Sequence, residues 1–464
     1  MKFPFDFAWG VATSSYQIEG ATNVDGRGQS IWDTFCATPG KVANHETGNV
    51  ACDHYNRYRE DIAIMKDLGV NSYRFSIAWP RLFPNGDQVR EERGFQFYNN
   101  LIDELLANGI EPVVTLYHWD LPQALQDKGG WANREIVEAF SNYAVACVEE
   151  FGDRVSNWIT LNEPWVFTWL GYLAGIHAPG LTDIASATAT AHHTALAHSM
   201  ATERIKSINS NFAVGIALNM TTYRVTDTNN SELRDIETLL DGHLNRWWLD
   251  AMYYGQYPAE VAKALGENLT KVFLPGDEQL LLANPDFVGV NYYADNFISA
   301  PKPNTENSMD ANPIPFAINF DSSAPLPHTD MGWPITPEGL HDLLVRINRD
   351  WPMVTNIAIT ENGAAYPEGP NGQGVVSDDR RVAYLESHLA AVADAIADGV
   401  PVKSYFAWSL LDNFEWAEGY DKRFGLVHVD FNTLKRTLKN SAIYYQGVIA
   451  EQRAIGNPAL IPAK

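Results

Sequence analysis

Two runs between residues 72 and 118 decide the fold: Ser72–Trp79 reads SYRFSIAW and Pro112–His118 reads PVVTLYH, with a helical pattern at Phe95–Ala107 between them. Both flanking runs are short, apolar and rich in β-branched and aromatic residues, which fits strands. A strand, a helix and a second strand in that order predict a parallel βα unit. Working outward, the same alternation repeats. Strand-like runs occur at Val155–Leu161 (VSNWITL), Ala213–Asn219 (AVGIALN), Phe287–Tyr292 (FVGVNY), Ile357–Thr360 (IAIT) and Val402–Trp408 (VKSYFAW), with another near Ala8–Ala12. Helical periodicity fills Tyr55–Leu68, Arg134–Phe151, His192–Ile208 and Asp378–Ala397. Gly69 and Gly109 each close a helix just ahead of a strand, as short αβ connections prefer. Eight such units predict a closed (β/α)8 barrel of the α/β class.

No low-complexity linker divides the chain, so residues 1–464 are read as one domain. Loop insertions are expected near 300–330 and 365–377. Their Pro/Gly/Asn-rich cores, Ala300–Pro315 and Pro367–Gly374, follow the sixth and seventh strands. In a barrel, the loops that follow strands build the working face, at the strands' C-terminal ends.

Composition narrows the function. The 33 Lys and Arg against 57 Asp and Glu leave a formal charge of −24. Such a chain is repelled by phosphate backbones and anionic membranes, which argues against a nucleic-acid or membrane partner. No run approaches the roughly 18 apolar residues of a membrane span. The N-terminal MKFPFDFAWG has no apolar h-region, so no signal peptide is expected. Cys36, Cys52 and Cys147 form no C-x-x-C pair; they suit a reducing cytoplasm, with a single disulfide left open. Trp, Tyr and Phe make up 12% of the chain. Most buried aromatics are core, yet flat rings and carboxylates are also what a sugar site needs.

Polar residues cluster where the strands stop: Gln17, Arg74, His118-Trp119, Asn162-Glu163, Asn219, Asn291 with Tyr292-Tyr293, Glu361-Asn362, and Trp408 with Glu415-Trp416. Each alone has an ordinary explanation. Asn162-Glu163-Pro164 could be a loop, and Asn362-Gly363 is strong turn chemistry. A barrel, however, gathers all eight strand ends around one mouth.

Several of these residues lie in longer motifs. TLNEP at Thr160–Pro164 and ITENG at Ile359–Gly363 resemble the two catalytic motifs of glycoside hydrolase family 1. FAWGVATSSYQIEG near the N-terminus, ACDHYNRY at Ala51–Tyr58, YRFSIAWPR at Tyr73–Arg81 and LLDNFEWAEGY at Leu410–Tyr420 match as well. The resemblance runs through essentially the whole chain in order. It implies a retaining β-glycosidase that removes terminal β-D-glucosyl residues, and β-galactosyl or β-fucosyl residues with them. Substrates would be small β-glycosides: cellobiose, short oligosaccharides, aryl and alkyl glucosides. Oligomeric state stays open.

The resemblance makes Glu163 the acid/base and Glu361 the nucleophile. Retaining enzymes hold such a pair about 5 Å apart and pass through a covalent glycosyl-enzyme. Arg74 is expected beside Glu361, keeping it ionised, with Tyr293 hydrogen-bonded to the same carboxylate. Asn162 resembles the residue that contacts the sugar 2-hydroxyl. Gln17, His118, Trp119, Glu415 and Trp416 resemble the set that binds the remaining hydroxyls, with Asn291 beside them and Trp408 under the sugar ring. Trp333 resembles the platform for the leaving group; Asn219, Trp165 and His177 are expected at the pocket neck.

Relatives that take 6-phosphorylated glycosides carry Ser in place of Glu415, then Lys and Tyr seven and nine positions on. Here those later positions are Lys422 and Phe424, so only the lysine agrees. A carboxylate at 415 would repel a phosphate dianion, which favours plain hexosides and puts Phe424 at the sugar site. A 6-phospho-β-glucosidase and a catalytically silent sugar-binding barrel remain as alternatives, the second disfavoured because Glu163 and Glu361 are both present. His192, His193 and His198 show no metal-ligand spacing and are read as surface or packing residues. No metal and no cofactor is expected.

Overall fold

The computed structural model describes residues 1–299 and 325–456. Its eight barrel strands are β1 (Ala8–Ala12), β2 (Ser72–Ser76), β3 (Glu111–Tyr117), β4 (Asn157–Asn162), β5 (Ala213–Asn219), β6 (Phe287–Asn291), β7 (Ile357–Asn362) and β8 (Val402–Trp408). Each pairs in parallel with its chain neighbour, and β1 also pairs with β8, so the sheet closes on itself. The connecting segments carry α1 (His54–Leu68), α2 (Glu92–Ala107), α3 (Ile136–Phe151), α4 (Ile184–Ile208), α5 (Trp247–Tyr254), α6 (Pro337–Asp350), α7 (Asp379–Ala397) and α8 (Asn440–Gly456). This is the (β/α)8 barrel that the alternation predicts.

Inside the barrel, Ala12, Val113, Ile159, Ala217, Phe287, Ala358 and Phe406 form one apolar layer, drawn from seven of the strands. Small residues make room for the two phenylalanines. A Cβ on Gly10 would fall 2.3 Å from Phe406, and one on Gly215 would fall 2.5 Å from Phe287. A larger apolar shell lies between strands and helices. Gly69 and Gly109 take φ of 75° and 72°, which a glycine adopts without a Cβ penalty.

Three helices depart from the sequence expectation. Helix α4 starts at Ile184 rather than His192, because the Asp183 side chain accepts the Ser186 amide at 2.8 Å and caps it there. Its histidines are all buried, so of the surface and packing readings the packing one holds. His192 joins Tyr257 (2.9 Å) to Asp277 (2.8 Å), His193 faces the Trp131 carbonyl (3.0 Å), and His198 meets the Thr160 hydroxyl (2.7 Å). Helix α5 buries Trp247, Trp248, Leu249, Ala251, Met252 and Tyr253, so no polar face marks it in the sequence. Helix α6 buries Leu340, Leu343, Leu344 and Ile347, a plain amphipathic spacing.

The three cysteines are buried and unbridged. Among the described residues no helix is long and apolar enough to cross a membrane. The loop expected at 300–315 lies outside the described residues, whereas residues 367–374 form irregular, mostly exposed chain after β7.

Candidate active site

The strand ends converge on one mouth. Asn162 ends β4 with Glu163 directly after it, Asn291 ends β6, Glu361 and Asn362 end β7, and Trp408 ends β8. A cavity of about 640 Å³ opens there, a size that suits a small ligand. His118, Trp119, Asn162, Glu163, Asn219, Asn291, Tyr293, Trp333, Glu361, Trp408, Glu415, Trp416 and Phe424 all line it, and so do Trp165 and His177.

Two of the expected residues stand behind this wall. Arg74 lies beneath the floor. Gln17 is fully buried, and its amide is already engaged: Nε2 donates to Glu415 (3.3 Å), the Phe414 carbonyl (2.8 Å) and Asn413 (3.1 Å). Its Oε1 accepts from Ser14 at 2.6 Å. Gln17 is thus seen supporting Glu415 and is not on the cavity surface.

Below the floor runs a hydrogen-bond network. Arg74 Nη1 donates to Glu361 Oε1 at 2.7 Å and to the Thr360 carbonyl at 3.0 Å; Nη2 donates to Asn162 Oδ1 at 2.6 Å. Tyr293 donates its hydroxyl to Glu361 Oε2 at 2.6 Å. Asn291 Nδ2 donates to Glu163 Oε1 at 2.8 Å and to Asn162 Oδ1 at 3.0 Å. Because Asn162 Oδ1 accepts from two donors, its Nδ2 must face His118 Nε2, 3.1 Å away. Burial and the Arg74 charge hold the His118 pKa well below its usual value, so the ring is neutral. Nε2 accepts, and Nδ1 carries the proton.

The acidic groups are pushed upward. Burial raises the Glu163 carboxyl, and the facing Glu361 charge raises it further, against the Asn291 hydrogen bond and Arg74. Glu361 is also raised by burial, with Arg74 and the Tyr293 hydroxyl pulling the other way. Arg74 lowers Glu361, as expected, and its charge offsets part of the desolvation. Of the pair, Glu163 lacks a cation in direct contact and keeps the proton. Glu415 is pushed up to about 8 by burial and then by Glu361, with Gln17 opposing.

Aromatic rings form two sides of the mouth. His118 stacks on Trp408 (5.8 Å, 17°) and on Trp416 (5.9 Å, 17°), and Trp119 leans on Trp416 at 4.5 Å. Tyr293, Trp333 and Phe424 meet one another at 5.3 to 6.2 Å. Trp119 Nε1 donates to the Asn162 carbonyl at 2.9 Å, which fixes its indole against β4. Trp119, Glu163 and Trp416 take φ of 79°, 46° and 51°. Such left-handed backbone costs on the order of 1–3 kcal/mol per residue and clusters at working sites.

The rest of the lining was not anticipated. Val166, Leu170, Ile176, Met220, Tyr223 and Leu244 add an apolar flank beyond Trp165. Apart from Met220, which directly follows the end of β5, they come from loops and short elements outside the strand-end pattern. Thr360 and Gly289, beneath Asn291, were also missed. A glycine between two valines in FVGVNY was the available signal, since it marks a close approach.

The sequence profile of Glycosyl hydrolase family 1 matches residues 1–454. Beta-glucosidase A of Acetivibrio thermocellus is 45% identical over 450 residues, covering 97% of this chain and 98% of that protein. A bifunctional beta-D-glucosidase/beta-D-fucosidase of Bifidobacterium breve is 41% identical over 466 residues, covering 98% and 99%. The Thermotoga maritima beta-glucosidase solved with deoxynojirimycin superposes with a TM-score of 0.89 at 44% identity, covering 97% and 99%. With a matching profile through almost the whole length and relatives aligned end to end, this chain belongs to glycosyl hydrolase family 1 and is a glycoside hydrolase.

Proposed function

We propose that the protein is a retaining β-glucosidase that cleaves terminal β-D-glucosyl residues, and β-fucosyl and β-galactosyl residues to a lesser degree, through a covalent glycosyl-enzyme on Glu361. The observation that carries this is one cavity holding two buried carboxyls in opposite surroundings: Glu361 against Arg74 and Tyr293, Glu163 without a cation in contact. Environments that push two titratable groups apart assign acid and nucleophile.

In the first step Glu163 gives its proton to the glycosidic oxygen as the C1–O bond breaks and Glu361 Oε bonds to C1. The aglycone leaves as an alcohol. Ester formation removes the Glu361 charge, which was raising the Glu163 pKa, so Glu163 now exists as carboxylate. It takes a proton from water as the water oxygen attacks C1, and the released Glu361 carboxylate restores the pair. Inversion twice gives retention. Asn162, with its amide pinned by Arg74, is positioned for the 2-hydroxyl, and Glu415 for O4 and O6.

Plain hexosides are favoured over 6-phosphorylated ones. Glu415 occupies the site a phosphate would need, and Lys422 is engaged with the Asp330 carbonyl at 2.9 Å, away from the cavity lining. The apolar flank of Val166, Leu170, Ile176, Met220 and Leu244 suits aryl and alkyl aglycones alongside the second glucose of cellobiose. The Thermotoga maritima beta-glucosidase solved with deoxynojirimycin and the bifunctional Bifidobacterium breve relative support the glucoside and fucoside parts of this reading. We place the enzyme, as one barrel domain, in a reducing cytoplasm, on the strength of its three unpaired thiols.

The test is a panel of p-nitrophenyl β-glucoside, β-galactoside, β-fucoside, cellobiose and 6-phosphoglucoside. Turnover should be best on the glucoside and lost in Glu361→Gly, with partial recovery on adding azide or formate. Glucose binding without turnover of any member would favour a silent sugar-binding barrel instead.

A further inference from the structure

Asn291 does its work only in one orientation. Its Nδ2 meets Glu163 Oε1 and Asn162 Oδ1, both acceptors. With the amide reversed, Oδ1 would face two other oxygens, and Glu163 could meet it only when protonated. Arg74, which can only donate, fixes Asn162 Oδ1 as an acceptor and so sets which end of the Asn291 amide faces it; the contact that anchors the other end is Thr360. Its hydroxyl donates to Asn291 Oδ1 at 2.6 Å, in a fully buried position. With Nδ2 turned toward Asn162, the hydroxyl donates to the oxygen end and holds it.

The backbone beneath is built for this contact. Gly289 sits two residues before Asn291 on β6, on the same face of the strand. A Cβ there would lie 2.8 Å from both Oγ1 and Cγ2 of Thr360 and 3.0 Å from the Ile216 carbonyl oxygen. The missing side chain leaves the space that Thr360 fills. The Thr360 carbonyl meanwhile accepts from Arg74 Nη1 at 3.0 Å, so one residue holds both the Arg74 and the Asn291 arms of the network.

We propose that Thr360 is a positioning residue: its hydroxyl, seated over Gly289, anchors the oxygen end of the Asn291 amide and so holds Nδ2 within donating reach of Glu163. This rests on Glu163 being the proton donor of the reaction. The hydroxyl touches neither sugar nor reacting atoms and acts through Asn291. Its effect is on how readily Glu163 gives up and regains its proton. The groups that face Glu163 are Glu361, Glu415, Tyr293 and Arg74, all present in every variant below.

The experiment is the pH profile of kcat/KM for an aryl β-glucoside in Thr360→Val, Thr360→Ser and Asn291→Ala, with Glu163→Gln as reference. Asn291 donation favours the charged form of Glu163, so its loss raises that pKa and moves the basic limb to higher pH. Thr360→Val should move the limb upward by several tenths of a pH unit, Thr360→Ser should leave it in place, and Thr360→Val added to Asn291→Ala should shift it no further. A uniform loss of rate with an unmoved limb, or shifts that add in the double variant, would overturn the positioning role. Should Thr360→Val fold poorly, Gly289→Ala, which pushes on the same hydroxyl, reads the same limb. Retention of the basic limb in Glu163→Gln would instead reject the proton-donor assignment on which the proposal stands.

Discussion

Arg74 Nη1 lies 2.7 Å from Glu361 Oε1, with the two side chains 1% and 4% exposed. A buried pair of this kind is costly to assemble and costly to break, because removing one partner leaves the other uncompensated. Here the cation also holds Asn162, so a single guanidinium organises Glu361, the proposed nucleophile, and Asn162, the proposed contact for the 2-hydroxyl. Lysine, with a point charge in place of a fork, could serve one of them and not both.

Arg74→Met should therefore lower kcat/KM by on the order of 10²–10³, the usual loss for a preorganised donor. Removing the positive charge raises the Glu361 pKa further, so the carboxylate appears only at higher pH. The acidic limb of the pH profile should move upward in Arg74→Met and less in Arg74→Lys. Titration of activity from pH 4 to 9 reads both; an unmoved acidic limb would deny Arg74 its electrostatic part.

Glu163→Gln removes a proton donor and preserves shape. Substrates with poor leaving groups, such as cellobiose and alkyl glucosides, should lose about 10²–10⁴-fold in kcat/KM. Activated aryl glucosides, which leave without help, should lose far less in the glycosylation step. A series of leaving groups of graded acidity gives the slope, and equal losses along it would argue against the acid role.

Glu415 is tied to Gln17 and pushed up to about 8, so it can both donate and accept toward sugar hydroxyls near neutral pH. Glu415→Ser should cost about 10–100-fold in kcat/KM on glucosides, from hydrogen bonds to a chargeable group. It should gain little on 6-phosphoglucosides, since Lys422 stays bound to Asp330. Comparing both substrates in the variant decides it: unchanged glucoside kinetics would remove the argument against phosphorylated sugars.

Away from the site, Lys439 Nζ meets Asp412 Oδ1 at 2.7 Å with both side chains fully buried, and Arg423 adds a second cation at 3.0 Å. Lys439→Met should destabilise the fold by about 3 kcal/mol, the low end for a broken buried pair because Arg423 remains. Burial lowers Lys439 to about 8 from 10.5. The folded state sheds that proton before the unfolded one, so this group's contribution to stability rises between those pH values. Denaturant melts at pH 7 and 10 should show the rise in the parent and its absence in the variant.

Much of this was legible in the chain because the barrel repeats one simple unit. Strands 213–219 and 402–408 have the same limits in sequence and structure. Glu163 and Glu361 stand out because they lie at strand ends inside long motifs, one just past β4 and the other in the last two residues of β7. Helix α5 was not, since burial on all sides erases the amphipathic period. The engagement of the Gln17 amide with Glu415, the Phe414 carbonyl and Asn413 comes from tertiary packing and has no mark in the sequence. The Thr360–Asn291 contact joins neighbouring strands whose residues lie 69 apart in the chain, a pairing that only the sheet register reveals.

The central claim is that Glu361 becomes covalently attached to the sugar. A 2-deoxy-2-fluoro-β-glucoside with a good leaving group slows both steps and should trap that ester. Peptide mass spectrometry after digestion should find one added fluoroglucosyl group on the peptide carrying Glu361. A label on the Glu163 or Glu415 peptide, or rapid turnover with no adduct at any enzyme concentration, would contradict the account.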